Sequence, residues 1–321
     1  MARQCAAPLP PRGRRCRIGR FLRVLCALWL CMAAAFIAAA PARAHELSVF
    51  VSVLPLATFA ERIGGERVEV HTMVQPDHSP ATYEPTPRQI TALAGADLYL
   101  RVGAPFEDAW MKRIHATNAD MRVVDLRAGL QLRPQPDHDH AHDHGHEHRG
   151  RGGPALDAHV WTSPRLARRM AVTIRDAFTE LDPTGADTYA ANQAEFDAAL
   201  AALDAELQRR LSRLENRSFL VYHPAWGYFA DAYGLTQVPI EREGKGPGAR
   251  RLAALIDQAR AEDARLILVQ PQFDQRAAGQ VARAIGGRVA TVDPLSPDYA
   301  VTLRRLADIL VAADGDGQQT Q

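Results

Sequence analysis

The 321-residue chain is expected to fold as an α/β protein of two βα lobes, each built on a parallel sheet, joined by one long rigid helix. Three observations predict this. Short apolar, β-branched runs alternate with longer helical patterns from Leu47 to Leu126 and again from Phe219 to Val311, the signature of βα units. The two series match in size and order, although no residue-level repeat is visible. Between them lies the longest periodic stretch, Ala186 to Leu214, where Tyr189, Phe196, Leu200, Leu203, Leu207, Leu211 and Leu214 recur at three, four or seven residues.

The elements follow in order. Residues 1–44 carry eight arginines, no acid and an uncharged apolar run, Val24 to Ala40, ending in Pro41-Ala42-Arg43-Ala44 before His45. This is the pattern of a cleavable signal peptide with a small-residue cut site, and it predicts export. Arg14-Arg15 is a weak twin-arginine hint, and no lipobox precedes Cys26 or Cys31. The apolar run is short for a bilayer span, which argues against an uncleaved anchor. Cys5, Cys16, Cys26 and Cys31 all fall inside this segment, so the mature protein has no cysteine. Disulfide frameworks, zinc ribbons, iron–sulfur clusters and cysteine nucleophiles are thereby excluded, and any metal site must use His, Asp, Glu or carbonyl oxygen.

Eight of the 38 basic residues lie in the leader, leaving 30 against 37 acids. A body charge of about −7 is a poor match for nucleic acid or another polyanion. Hydrophobic residues at 47% and charged residues at 23% describe an ordinary globular body rather than a disordered or multi-span chain.

The first lobe, 45–185, is predicted from strands Leu47–Leu54, Arg67–Val74, Asp97–Val102 and Arg122–Leu126. Helices Leu56–Ile63, Pro87–Leu93 and Phe106–Ile114 separate them, with Thr86 capping Pro87 at the first helical position. A low-complexity insert between Pro134 and Pro154 carries His138, His140, His142, His144, His146 and His148 in the span 137–148, alternating with Asp, Glu, Ala and Gly. Imidazole is a common ligand for zinc, copper and nickel, so the tract offers overlapping ligand sets without fixed geometry. The alternative is a solvated loop without a role.

The connecting helix, 186–214, would be about 43 Å long at 1.5 Å per residue, enough to cross the back of both lobes. The second lobe, 215–313, is predicted from strands Phe219–Tyr222, Gln237–Ile240, Arg265–Val269 and Arg288–Val292. Its helices are Ala225–Tyr233, Ala249–Ala261, Gln275–Ile285 and Tyr299–Val311, and 314–321 read as a disordered polar tail.

Position relative to the strands sorts the remaining histidines. His78 lies in the loop after Arg67–Val74, His223 follows Phe219–Tyr222, Asp293 follows Arg288–Val292, and His159 sits in Asp157-Ala158-His159-Val160-Trp161 on the way to the connecting helix. Open parallel sheets place ligands outside the carboxyl ends of their strands, so these groups would face a common cleft between the lobes. Three imidazoles and a carboxylate would make a closed four-ligand zinc site. His71 reads as a strand-face residue, His115 as a helix-end residue, and His45 as a new amino terminus that could chelate weakly.

From Leu47 to Val311 the chain resembles the periplasmic zinc- or manganese-binding receptors of ABC importers, the cluster A-I solute receptors. The matching segments are Ser79-Pro80-Ala81-Thr82-Tyr83-Glu84-Pro85-Thr86-Pro87, Asp157 to Pro164, Tyr222 to Phe229, Ile240 to Lys245 and Asp293-Pro294-Leu295. The resemblance implies two lobes on a rigid backbone helix with the ion between them, and His159, His223 and Asp293 as ligands. Most members place the first ligand, a histidine, directly after the Ser-Pro pair, where this chain has Ala81. His78, three positions earlier, is the expected substitute; if it points away, water or Glu84 would complete the site. Gln270, where members often carry Glu, offers less hard anionic oxygen and, with the histidine tract, favours Zn2+ over Mn2+.

The function expected is a non-enzymatic receptor that hands Zn2+ to an ABC-transporter permease with a separate ATPase subunit, acting as a monomer. Two alternatives stand beside it. A storage protein or metallochaperone would bind mainly through the tract, and a secreted zinc hydrolase would use an open coordination position with Glu84 as base. His-Glu-x-x-His, a nucleophile elbow and a phosphate loop are all missing from the sequence.

Overall fold

The computed structural model describes residues 46–135, 156–241, 246–261 and 264–318. The leader, with His45, and the histidine tract 137–148 lie outside the described residues.

Each lobe carries a four-stranded, wholly parallel sheet. In the first, β1 (Leu47–Val51), β2 (Val68–Thr72), β3 (Leu98–Arg101) and β4 (Arg122–Asp125) stand in the order β2-β1-β3-β4. In the second, β5 (Ser218–Val221), β6 (Thr236–Pro239), β7 (Leu266–Val269) and β8 (Arg288–Thr291) repeat that order as β6-β5-β7-β8. The architecture is therefore duplicated, as the two series predict.

In the first lobe, α1 (Leu54–Gly64), α2 (Pro87–Leu93) and α3 (Pro105–Thr117) follow their strands. The first strand ends at Val51, three residues short of the expected Leu54, because Pro55 near the helix start pre-sets helical backbone there. The Thr86 cap forms as a complete box: Gln89 N donates to Thr86 Oγ1 at 3.3 Å and Thr86 N donates to Gln89 Oε1 at 2.9 Å. Gly103 turns the chain from β3 into α3 at φ 72°, a conformation that suits glycine.

A helix absent from the sequence reading, α4 (Pro164–Leu181), precedes α5 (Ala186–Leu211), and a short 3₁₀ turn at Pro183–Gly185 makes the two a hairpin. Ala167, Met170, Ala171, Ile174 and Phe178 form the buried face of α4. At the hairpin turn Asp182 Oδ2 accepts from Arg67 Nε at 2.8 Å and from Tyr189 OH at 2.8 Å, tying the turn to the first lobe. Burial alone would raise the Asp182 carboxyl, but hydrogen bonds from Thr184, Arg67 and Tyr189 outweigh it and hold it at about 2.

The second lobe adds α6 (Gly227–Tyr233), α7 (Ala249–Ala261), α8 (Gln275–Ile285) and α9 (Tyr299–Gln318). α9 continues seven residues past the expected end at Val311, through part of the segment expected to be a disordered tail. The Asp314 carboxylate explains the extension: it accepts from the backbone of Glu215 at 3.1 Å and Asn216 at 2.9 Å, anchoring the last turns beside β5.

One apolar core runs from the first sheet through α4 and α5 into the inner face of the second. Phe196 of α5 meets Phe59 of α1 at 5.3 Å between ring centroids, and Phe59 meets Tyr299 of α9 edge-on at 5.0 Å. Tyr233 donates to Asp204 of α5 at 3.0 Å from the other lobe. A smaller core, around Leu255, Ile267 and Val281, lies on the outer face of the second sheet. The lobes thus share packed side chains and not merely a tether, which resists large hinge rotation.

Candidate metal centre

Segments that follow β4, β5 and β8 meet at the junction between the lobes. His159 precedes a 3₁₀ turn, Val160–Thr162, whose Trp161 is fully buried and donates from Nε1 to Pro294 O at 2.8 Å. This bond joins the His159 segment directly to the loop carrying Asp293. A second clamp lies beneath: Tyr228 OH donates to Asp157 O at 2.9 Å and accepts from Arg133 N at 3.1 Å. Arg133 also donates to Gly227 O at 2.7 Å, and next to it Pro134 and Leu156 pair as an isolated antiparallel bridge at the two ends of the histidine insert.

His159 and His223 meet with their rings T-shaped, centroids 5.3 Å apart. Two imidazoles holding one tetrahedral ion through nitrogens about 2.1 Å away would have centroids about 5 Å apart, so the pair has ligating spacing. Each ring is fixed from behind by a buried carboxylate. His159 Nδ1 donates to Asp157 Oδ1 at 2.7 Å, and His223 Nδ1 donates to Glu241 Oε1. A carboxylate only accepts, so the protons sit on Nδ1 and both Nε2 lone pairs remain for an ion. Burial pushes the His223 ring below the ordinary imidazole value; the Glu241 bond opposes this and His159 reinforces it. Its neutral, ligating form is thereby favoured. Phe273 stacks on His223 at 4.9 Å and an interplanar angle of 17°.

The other two predicted ligands stand apart from this pair. Asp293 follows β8 as expected, and its Oδ1 accepts from Leu295 N at 2.9 Å and Gln272 Nε2 at 3.2 Å. His78 is exposed, its Nδ1 2.9 Å from Pro76 O and its ring edge-on to Tyr83 at 5.7 Å. The preceding Asp77 has φ 64°, so the turn is rebuilt where a glycine would be at ease. Ala81 and Glu84 are also exposed on this loop. Among the described residues no group of three or more His, Cys, Asp or Glu side chains could hold a metal ion. The structure therefore assembles two of the four predicted ligands.

Sequence reasoning missed the two carboxylates behind the rings. Asp157 could have been found, because a carboxylate two residues before a candidate ligand can turn back on it. Glu241 carries a signal too, standing directly after the predicted strand Gln237–Ile240 as His223 does after its own, although strand pairing decides which ring it meets. Gln270 lies at the end of β7, buried, and donates to His223 O at 2.9 Å. His71 lies on β2 against Phe50 at 5.0 Å, and His115 is exposed in the last turn of α3, both where the sequence placed them.

Residues 49–313 match the protein-family model described as "ZnuA: Zinc-uptake complex component A periplasmic". The high-affinity zinc uptake system protein ZnuA of Bacillus subtilis is 28% identical over 258 residues, covering 80% of this chain and 81% of that protein. An iron-binding protein of Yersinia pestis, YfeA, is 29% identical over 289 residues, 86% of this chain and 88% of its own. Among solved structures, a crystal structure of ZnuA superposes with a TM-score of 0.76 at 36% identity, covering 84% of this chain and 99% of that one. A zinc-bound "138-173 ZnuA deletion mutant" does so equally well, at 37% identity and a TM-score of 0.76, covering 84% of this chain and 98% of that one.

Proposed function

The chain belongs to the ZnuA family of periplasmic zinc-uptake components, and from that membership we propose that it is a periplasmic receptor that captures Zn2+ and delivers it to an ABC permease driven by a separate ATPase subunit. The observation that carries this reading is the His159–His223 pair at ligating spacing, each ring backed by a buried carboxylate that leaves Nε2 free. Zinc is the cargo, and the protein acts without a catalytic step as an exported monomer with its leader removed before His45.

Capture proceeds by closing loops on a preformed pair. His159 and His223 bind first, Asp293 joins through the oxygen its loop leaves available, and the His78 turn swings inward to supply the fourth ligand in place of the histidine that Ala81 lacks. Nitrogen-rich coordination with one carboxylate suits zinc better than manganese, which prefers hard oxygen. Release is a loop movement, because the shared core through α4 and α5 opposes a wide opening of the lobes. The histidine tract acts as an auxiliary collector. A storage role based on the tract alone would leave the His159–His223 pair, with its two buried carboxylates, without a use.

The test is calorimetric titration of residues 45–321 with zinc and manganese, beside a variant lacking 137–148 and the His78→Ala form of that deletion. One tight zinc site that survives the deletion and weakens with His78→Ala is expected. Loss of tight binding with the tract would transfer the function to the tract, and unchanged affinity in His78→Ala would remove His78 from the ligand set.

A further inference from the structure

Glu241 is buried, at 2% exposure, and eighteen residues from His223 in sequence. The backbone brings it there. β6 ends at Pro239, yet its pairing with the β5 side continues: Ile240 N donates to Val221 O at 2.9 Å and Glu241 N donates to Tyr222 O at 3.1 Å. Two further rungs set Glu241 alongside His223, whose Nδ1 donates to Oε1. The other oxygen, Oε2, is buried with no hydrogen-bond partner among the described residues. Burying a half-satisfied carboxylate is costly, and its side-chain hydrogen bond goes to His223, so the cost is borne for that ring. Gln270 holds the His223 carbonyl and Phe273 its face, leaving the Nδ1 edge to Glu241.

We propose that Glu241 is a positioning residue of the metal centre: it locks His223 in the Nδ1–H tautomer, aims the Nε2 lone pair toward His159, and sets a negative charge directly behind the bound cation. A neutral imidazole in water favours the Nε2–H form, which cannot ligate through Nε2. A carboxylate accepting from Nδ1 reverses that preference and makes the ligand more basic. Because Glu241 does not occupy a coordination position, it strengthens binding while leaving the cleft free for ligand exchange. The inference rests on the reading of His159 and His223 as a zinc-binding pair.

The experiment uses residues 45–321 with Glu241→Ala and Glu241→Gln. Zinc affinity is read by competition with a chromophoric chelator, and histidine tautomers by nitrogen-15 NMR of the zinc-free protein. Glu241→Ala is expected to weaken zinc binding by roughly 10- to 100-fold. Glu241→Gln, which keeps an acceptor and loses the charge, should fall between it and the wild type. His223 should be the Nδ1–H tautomer in the wild type and lose that preference in Glu241→Ala, while His159, held by Asp157, keeps its own. Affinity of Glu241→Ala equal to wild type, or an Nε2–H tautomer for His223 in the wild type, would overturn the proposal. Should Glu241→Ala fail to fold, the wild-type tautomer and the Glu241→Gln affinity decide. A wild type that binds no zinc would overturn the receptor reading and this proposal together, whereas tight wild-type binding with an unaffected Glu241→Ala overturns the positioning role alone.

Discussion

Replacing Trp161 by Phe removes the indole N–H that reaches Pro294 O at 2.8 Å while keeping an aromatic ring in the same buried site. Two costs follow. The side chain loses about 40 Å³, which at about 24 cal/mol per Å³ of cavity is about 1 kcal/mol. The buried Pro294 carbonyl loses its donor, for about 1–3 kcal/mol more. The sum is about 2–4 kcal/mol, and with a urea slope of about 3 kcal/mol/M the unfolding midpoint should fall by about 1 M. Trp226→Phe is the control, because Trp226 is equally buried but its Nε1 has no partner among the described residues. It should lose only the packing part, about 1 kcal/mol. Zinc affinity should fall in Trp161→Phe and hold in Trp226→Phe, since only the former bond ties the His159 segment to the Asp293 loop. Equal midpoints for the two variants would refute the claim that this hydrogen bond couples the lobes at the site.

Two further outcomes are expected. Gly103→Ala should destabilise by about 1–3 kcal/mol in urea unfolding, since a Cβ at φ 72° would stand 1.7 Å from the Arg127 guanidinium and displace it from Asp125. Asp182→Asn should cost about 1.5–3 kcal/mol at pH 7 by removing a charged acceptor from Arg67 and Tyr189. Because the native carboxyl sits at about 2 and the unfolded one near its ordinary 3.8, its stabilising contribution is present above pH 3.8 and lost as pH falls toward 2. Unfolding at pH 7, 4 and 2.5 should therefore show the gap between the two proteins closing on acidification.

The alternation of β-branched runs and helical patterns was enough to read eight strands and their duplicated order, because strands such as Leu266–Val269 are buried on both faces and hence apolar throughout. α4 escaped, although Ala167, Met170, Ala171, Ile174 and Phe178 mark a helical face. Its signal is carried partly by alanine and interrupted by Arg165, Arg168, Arg169 and Arg175, whose charges are met by Asp204, Asp197, the Gly129 carbonyl and Asp176. At the site, His223 and Asp293 both follow strands as read, and His223 meets His159 of the Asp157–His159 segment, while Asp293 stands apart from that pair. Asp77, standing where a glycine would fit, signals a rebuilt His78 turn in the sequence, but not the orientation that its φ of 64° gives the loop. The Glu241 contact depends on register between two strands, which a linear reading cannot supply.

The bridge between Pro134 and Leu156 also bears on how freely this chain can change length. Its two residues are paired, so the 21 positions between them close a loop whose ends are already together. Closing 21 residues instead of 5 costs only about 1.3 kcal/mol of chain entropy, and each doubling adds about 0.6 kcal/mol. Insertion or deletion of histidine repeats here therefore leaves the lobes nearly untouched energetically.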